Sequence, residues 1–136
     1  MTDRHPVPGV GAAVVDGDRI LLVQRGREPG RGLWAVPGGK LALGETLRNA
    51  ARREVLEETG IEVEVHDVIW AGESIGPGDP PAWHYAIVDF LAHPVGGTLR
   101  AGDDADDARW VTAAGAAELP LVATMPSLLA KVFPAS

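Results

Sequence analysis

The segment from Gly39 to Ile61, GKLALGETLRNAARREVLEETGI, constrains this chain more than any other. Its apolar residues recur with a helical period. On such a helix, Glu54, Glu57 and Glu58 stand at i, i+3 and i+4 and share an arc roughly 100° wide. Like charges at these spacings repel one another. The segment therefore predicts a helix on which three carboxylates are forced together.

A divalent cation would remove that repulsion. Two carboxylates about 4 Å apart at a partly shielded site repel by on the order of 4 kcal/mol. Mg²⁺ and Mn²⁺ prefer oxygen ligands and keep positions for water or phosphate, and the segment contains no Cys or His. The alternative is a solvated acidic face, which accounts for most runs such as REVLEE taken alone.

Other residues of the segment add independent constraints. One and two turns before the acids, the same arc carries Leu47, Ala50 and Ala51, which predicts that this side faces the body of the protein. Gly60 follows the last helical residue as a C-cap. Arg53 has the planar guanidinium suited to holding a carboxylate in one orientation. We therefore expect the acidic end of the helix to open into a cleft.

The spacing of Gly39, Glu45, Arg53, the three glutamates and Gly60 resembles a complete Nudix box. This box is the signature of enzymes that hydrolyse nucleoside diphosphates linked to another group. The preceding GLWAVPGG is similar to the usual approach to the box. The resemblance implies an α/β/α sandwich with a central mixed β-sheet, and a pyrophosphatase that depends on Mg²⁺, with Mn²⁺ as a substitute.

The same resemblance implies roles for individual residues. Glu57 and Glu58 would be the principal metal ligands, helped by the main-chain carbonyl of Gly38. Glu54 would ligate a metal or act as the base that deprotonates the attacking water.

Arg53 would act by orienting a carboxylate of the triplet, and we group it with the catalytic residues for that reason. Glu45 would pair with it and fix the box. The structural residues of the box are then Gly39, Glu45 and Gly60.

Four aspartates precede Trp110 in a predicted loop from Arg100 to Arg109: Asp103, Asp104, Asp106 and Asp107. In many Nudix enzymes a further acid from this part of the chain joins the metal ligands or serves as the base. Asp104 is favoured because of its distance from the tryptophan. The alternative is that all four are solvent-facing turn residues.

A group of cations lies just ahead of the acidic helix: Arg25, Arg27, Arg31 and Lys40. These side chains are candidates for binding an anionic substrate, because local cations screen its charge. The alternative is a solvated loop, since RGREPGRG is also rich in turn-forming residues.

The chain has four Trp beside one Tyr and two Phe. Trp34 and Trp110 lie in strand-like surroundings and are expected in the core or in the wall of a cleft. Trp83 and Trp70 flank a loop rich in Gly and Pro. Trp83 is the first candidate, and Trp70 the second, for stacking on a nucleobase or for a subunit contact.

Composition limits the remaining function classes. A length of 136 residues predicts a single domain, residues 1–136. The net charge of −7 disfavours a nucleic acid polymer as partner. The N-terminus lacks an apolar signal core and no run is long enough to cross a bilayer, so no membrane association and a cytoplasmic location are expected. The absence of Cys excludes disulfides and a thiolate nucleophile.

The remaining pattern predicts strands and helices in irregular alternation. A hairpin is expected at Asp16 and Gly17. His66 and His84 lie in predicted strands, without metal-ligand spacing to another His, and are assigned no chemistry. The other predicted elements are a short segment at 33–36, a tight turn at 37–39, a helix at 45–59, strands from Ile61 and at 85–91 separated by a loop at 72–81, a strand at 109–111 and a helix at 124–133.

The choice of substrate depends on residues outside the box. Pro77 lies sixteen residues after Ile61, a position at which proline marks many ADP-ribose pyrophosphatases of the family, although a turn explains it equally. ADP-ribose or a related nucleotide sugar is therefore favoured. The alternatives are a house-cleaning enzyme for (d)NTPs or oxidised dGTP and, from another class, a non-catalytic sensor of ADP-ribose or nucleotide. A homodimer would be ordinary for the family.

Overall fold

A computed structural model of the chain describes residues 5–102 and 104–134. Seven strands form one mixed sheet in the order β3-β2-β1-β6-β5, with β4 paired to β1 and β7 paired to β2. The strands are β1 (Val7–Asp16), β2 (Arg19–Arg25), β3 (Trp34–Ala35), β4 (Gly38–Lys40), β5 (Ile61–Ile75), β6 (His84–Gly97) and β7 (Ala105–Thr112), and the helices are α1 (Leu47–Thr59), α2 (Ala113–Ala117) and α3 (Met125–Val132).

Strand β1 lies at the centre of the sheet and is buried on both faces. It runs parallel to β6 and antiparallel to β2 and β4. Val10, Ala12 and Val14 pack in a core beneath α1, whereas Ala13 belongs to a second core beneath α3. Small and β-branched residues in alternation allow helices to pack on both sides. The predicted mixed sheet between helices is confirmed.

Helix α1 follows the predicted pattern closely. The Thr46 hydroxyl accepts a hydrogen bond from the Asn49 amide at 3.1 Å, which satisfies one of the free N–H groups at the helix start. Ala50 and Ala51 are fully buried against the sheet, while Leu47 is 40% exposed. The predicted apolar side of the helix therefore faces the core through the two alanines.

The last turn of α1 is fastened to the segment that follows β6. The amide of Gly60 donates to Leu56 O at 2.9 Å, that of Arg100 to Thr59 O at 2.9 Å, and that of Gly102 to Glu58 O at 2.7 Å. Gly60 itself has a φ of 74°, in the left-handed region. This geometry confirms the predicted C-cap and satisfies carbonyls that a helix end leaves without partners.

Three loop predictions were wrong because main-chain pairing extends the strands. The loop at 72–81 is shorter, since β5 continues to Ile75 in a ladder with β6. The loop at 100–109 ends at Ala105, where β7 begins to pair with β2. Gly38 and Gly39, predicted as a turn, form β4 against β1. Helix α2 was not predicted. Inter-strand hydrogen bonds outweigh the low strand propensity of Asp and Gly in these segments.

The other predicted elements are confirmed. The hairpin turns at Gly17 with Asp16 paired to Arg19, and the closing helix is α3. Trp34 is buried in the second core, and Trp110 packs against the first. None of the helices in the described ranges is long and apolar enough to span a bilayer.

Replacing Gly60 by alanine should destabilise the protein more than the same change at Gly44. Both glycines have positive φ, but a Cβ at Gly60 would lie 2.3 Å from Thr98 O, whereas a Cβ at Gly44 would meet nothing within 4 Å. We expect Gly44→Ala to cost about 1–2 kcal/mol from backbone strain alone and Gly60→Ala to cost more. Urea unfolding of both variants measures this, and equal losses would contradict the packing argument.

Candidate active site

The Arg53 guanidinium is the centre of the polar network at the open end of α1. Its Nε donates to Glu45 Oε2 at 2.7 Å and its Nη2 donates to Glu45 Oε1 at 2.9 Å, a bidentate arrangement that fixes both side chains. Nη2 also donates to the main-chain carbonyl of Lys40 at 3.2 Å. Arg53 therefore ties α1 to the loop that precedes it and to β4.

The remaining nitrogen of the same guanidinium is directed at the acidic triplet. Nη1 donates to Glu54 Oε1 at 2.8 Å and to Glu57 Oε2 at 3.2 Å. Glu54 is nearly enclosed, with 12% of its side chain exposed, whereas 58% of the Glu57 side chain is exposed. Arg53 thus holds two of the three carboxylates at defined positions.

Two adjacent glycines let the acids approach the sheet. A Cβ at Gly39 would lie 2.5 Å from the carboxyl carbon of Glu54, and a Cβ at Gly38 would lie 2.7 Å from Val10 O. The Gly38 amide donates to Glu58 Oε2 at 3.3 Å. Side chains at either position would displace a carboxylate or the strand, so both glycines are required by close approach.

Burial controls the electrostatics of these acids. It raises the pKa of Glu58 to about 8, assisted by the charge of Glu54 and opposed by the Gly38 N–H and by Arg25. Burial likewise raises the pKa of Glu54, although the hydrogen bond from Arg53 counteracts it. The hydrogen bond from Arg53 lowers the pKa of Glu45. In the metal-free protein, burial therefore disfavours the charged form of both of these partly buried acids.

The triplet does not converge on a single point. Glu54 and Glu57 are both turned toward Arg53, and Glu58 is turned toward the Gly38 amide. Within residues 5–102 and 104–134, no group of three or more His, Asp or Glu side chains is arranged to hold a metal ion. A shared ion would require one of these side chains to rotate, for which the exposed Glu57 has room.

Asp104 lies near the acids but pairs with a cation of its own. Its Oδ1 is 2.9 Å from Arg27 Nε, and both side chains are more than half exposed. Its charge also raises the pKa values of Glu54 and Glu58. Asp103 lies outside the described residues.

The other two aspartates of this run lie in β7 rather than in a loop. Asp107 pairs with Gln24 in the ladder to β2, and its side chain accepts from Arg109 at 2.9 Å. Asp106 is also a strand residue.

The predicted substrate cations are distributed unevenly around the site. Arg25 lies close enough to lower the pKa of Glu58, while its Nε donates to Pro29 O at 2.7 Å. Arg27 is the partner of Asp104. Arg31 is an exposed residue of the loop between β2 and β3, and Lys40 is an exposed residue at the end of β4.

The two candidate stacking tryptophans have different surroundings. Trp83 is partly buried in the hairpin between β5 and β6, where its indole N–H donates to Ser74 Oγ at 3.1 Å and its ring covers Gly76. Trp70 is only 8% exposed and packs in the second core, with its N–H donated to Ser127 Oγ on α3 at 3.0 Å. Trp83 therefore offers more free surface than Trp70.

Sequence reasoning missed two polar features. Asp89 interrupts the apolar run of β6 and is buried, and this burial raises its pKa to about 7; the interruption itself was the available signal. His66 and His93 stack with ring centroids 4.7 Å apart. Their proximity depends on the register of β5 against β6, which is shifted near His66 and which residue spacing does not reveal.

Comparison with known proteins agrees with this geometry. The family model described as NUDIX domain matches residues 5–132. An ADP-ribose pyrophosphatase from Methanocaldococcus jannaschii is 36% identical over 106 residues, 78% of this chain and 62% of that protein. The human 8-oxo-dGDP phosphatase NUDT18 is 36% identical over 89 residues, 65% of this chain and 25% of that protein.

Solved structures resemble the fold over nearly its full length. The crystal structure of a MutT NUDIX hydrolase from Burkholderia pseudomallei has a TM-score of 0.86 and 30% sequence identity, and covers 95% of this chain and 99% of its own. The family match spans far more than half of the sequence and includes every residue of the acidic network. The chain therefore belongs to the Nudix family.

Proposed function

We propose that this chain hydrolyses the diphosphate bridge of a nucleoside diphosphate derivative, with ADP-ribose or a related nucleotide sugar as substrate. One observation carries the proposal: two partly buried carboxyls of raised pKa, Glu54 and Glu58, lie beside the Gly38–Gly39 strand with a third acid, Glu57, held by Arg53. The name of the archaeal relative supports the substrate class. The chain matches 62% of that relative's length, so its activity is carried over as a proposal.

A divalent cation, Mg²⁺ or in its place Mn²⁺, fits the donor set of the site. Glu54, Glu57 and Glu58 would hold it with the carbonyl of Gly38, and Asp104 is a further candidate ligand. All are oxygen donors of the kind these ions prefer, and a bound cation would stabilise the charged form of Glu58, which burial disfavours. When bound, the ion would neutralise charge on phosphoryl oxygens and lower the pKa of water.

The protein's own residues would position and deprotonate the nucleophile. In the proposed reaction, Glu54 accepts a proton from the attacking water, whose oxygen bonds to one phosphorus as the bridging P–O bond breaks. The products are two phosphate esters; ADP-ribose would give AMP and ribose 5-phosphate. Arg53 keeps Glu54 oriented through its 2.8 Å hydrogen bond. It contacts the acids and acts by positioning them.

The remaining predicted residues would bind the substrate. Arg25, whose charge lowers the pKa of Glu58, would contact a phosphate. Arg27, Arg31 and Lys40 would add positive charge at the rim of the site. Trp83 would stack on a flat group such as the base. The partner is a small nucleotide, and the acidic net charge of −7 disfavours a nucleic acid polymer. A homodimer remains compatible with this assignment.

Two alternative functions are tested beside this one, and the first has support from a relative. The human relative named 8-oxo-dGDP phosphatase favours an oxidised purine nucleotide or a (d)NTP as substrate. A sensor would bind ADP-ribose at the same residues without turnover. Product analysis by mass spectrometry of ADP-ribose, nucleotide sugars, dinucleoside polyphosphates, dNTPs and 8-oxo-dGTP with Mg²⁺ separates these cases. Tight binding of ADP-ribose without any product would establish the sensor and overturn the hydrolase.

Replacing the acids by glutamine should abolish most of the activity. We expect Glu54→Gln to lower kcat by about 10²–10⁴-fold because the base is lost, and Glu57→Gln to lower the rate even at saturating Mg²⁺. Glu62→Gln, an exposed change on β5, is the matched control. Steady-state kinetics on the best substrate measures these effects. If Glu57→Gln retained most of the rate at saturating Mg²⁺, its assignment as a metal ligand would be wrong.

The stability of the metal-free protein should fall as pH rises from about 5 to 8. The folded pKa of Glu58, about 8, exceeds its ordinary value of 4.5, so its contribution to stability is complete below pH 4.5 and is lost as pH rises through 8. Asp89, whose pKa is about 7, adds to the same trend. Glu58→Gln should make the stability depend less on pH without removing that dependence.

Thermal unfolding across this pH range, with a chelator and then with Mg²⁺, measures the pH dependence of stability and the stabilisation by Mg²⁺. Stabilisation by Mg²⁺ should increase with pH, because metal binding requires deprotonated carboxylates. Glu62→Gln should behave as the wild type. An unchanged pH dependence in Glu58→Gln would show that this carboxyl is not the group responsible.

A further inference from the structure

Asp89 on β6 is a buried acid that the proposed reaction does not use. It is only 6% exposed. Burial is the one influence acting on its pKa; among the described residues, neither a hydrogen bond nor a neighbouring charge offsets it. Burying a carboxyl without a partner is costly, so the position of Asp89 needs an explanation.

The strand register places Asp89 in a row with two glycines. Asp89 is paired with Gly11 of β1, and Gly11 is paired with Gly38 of β4. Residues in register across a sheet lie on the same face. The flanking residues Val88 and Phe90 pack in the core beneath α1, so Asp89 faces away from α1, on the other side of the sheet from the acidic triplet.

Two oxygen acceptors converge over Gly11. A Cβ placed on Gly11 would lie 2.6 Å from Asp89 Oδ1 and 2.7 Å from the carbonyl oxygen of Pro37. The Pro37 oxygen accepts one hydrogen bond, from the Ala12 amide at 3.1 Å, and a carbonyl has two lone pairs. Both oxygens can therefore accept from one further donor group.

This pair of acceptors lies on the face of the sheet opposite the acidic triplet, and the main chain at Pro37 and Gly38 connects the two sites. Within the described part of the chain, no side-chain oxygen that is fully shielded from solvent lacks a hydrogen-bond partner, so the unpaired Asp89 oxygens keep a small accessible surface. Pro37 directly precedes Gly38, whose amide binds Glu58. Pro37 therefore places one of the two acceptors next to the glycine strand that the phosphates of a nucleotide would contact.

We propose that Asp89 and the Pro37 carbonyl together bind the exocyclic amino group of the substrate's nucleobase, which makes Asp89 a specificity-determining residue. An amino group carries two hydrogens and can donate one to each oxygen, whereas a hydroxyl or a ring N–H can satisfy only one of them. Adenine, cytosine and guanine bear such a group; uracil and hypoxanthine do not. The inference rests on the proposed function only in taking a nucleotide as the ligand.

The test compares nucleotides that differ in the amino group. Binding of AMP against IMP, GMP against IMP, and CMP against UMP is measured by titration calorimetry, which requires no turnover. The titrations are run at a pH above the pKa of about 7 that burial gives Asp89, where a hydrogen bond to its charged carboxylate is worth about 1.5–3 kcal/mol. Wild-type protein should therefore bind the amino member of at least one pair on the order of tenfold to a hundredfold more tightly.

Two variants assign any preference to Asp89. Asp89→Asn keeps the size of the side chain and weakens the acceptor, and Asp89→Ala removes it. The preference should fall in Asp89→Asn and approach onefold in Asp89→Ala. Asp67→Asn, at a fully exposed acid on β5 that pairs with Arg48, should leave the preference unchanged. Cooperative thermal unfolding shows which variants fold. If Asp89→Ala does not fold, the comparison of Asp89→Asn with the wild type tests the inference.

The outcomes separate this inference from the proposed hydrolase function. An amino preference that depends on Asp89, in a protein that hydrolyses none of the diphosphate substrates, would support the base contact and overturn the reaction. Hydrolysis accompanied by an amino preference that is equal in wild type and both Asp89 variants would support the hydrolase function and overturn the base contact. Absence of any preference in the wild type, including absence of nucleotide binding, overturns the inference.

Discussion

The Arg53 guanidinium is the interaction on which the arrangement of the acidic network depends. One planar group reaches Glu45 with two bonds, Glu54 and Glu57 with a third nitrogen, and the Lys40 carbonyl. A cation of fixed shape can satisfy several carboxylates at once, which lysine cannot. Without it, Glu54 would be a nearly enclosed charge beside two other acids, and the side chains of Glu45 and Glu57 would lose the donor that positions them.

Much of this network was predictable, because it is local in sequence. Helical spacing places Glu54, Glu57 and Glu58 on one arc, and the C-cap follows from Gly60. What spacing could not reveal is which acids face the arginine and which faces the sheet. Glu58 turns to the Gly38 amide twenty residues away, a contact that exists only after β4 pairs with β1.

Features that depend on strand pairing were the least predictable. Asp106 and Asp107 were expected in a loop, but β2 provides hydrogen-bonding partners and draws them into β7. The stacking of His66 on His93 depends on an irregular register between β5 and β6. Asp89 was visible only as a break in an apolar run, and its relation to Gly11 and Pro37 required three strands to be aligned. Long-range backbone pairing, rather than side-chain preference, decides each case.

The hydrogen bonds between the end of α1 and the segment after β6 restrict changes of sequence and length more in that segment than elsewhere. The amides of Arg100 and Gly102 bond the last carbonyls of the helix, so Asp104, two residues later, is tethered to the turn that carries Glu58. Among the described residues, the main-chain hydrogen bonds of the tip between β5 and β6 stay within that hairpin, as from Gly76 N to Trp83 O. Changes in the length or sequence of that tip, where Trp83 lies, can therefore leave the acidic network in place.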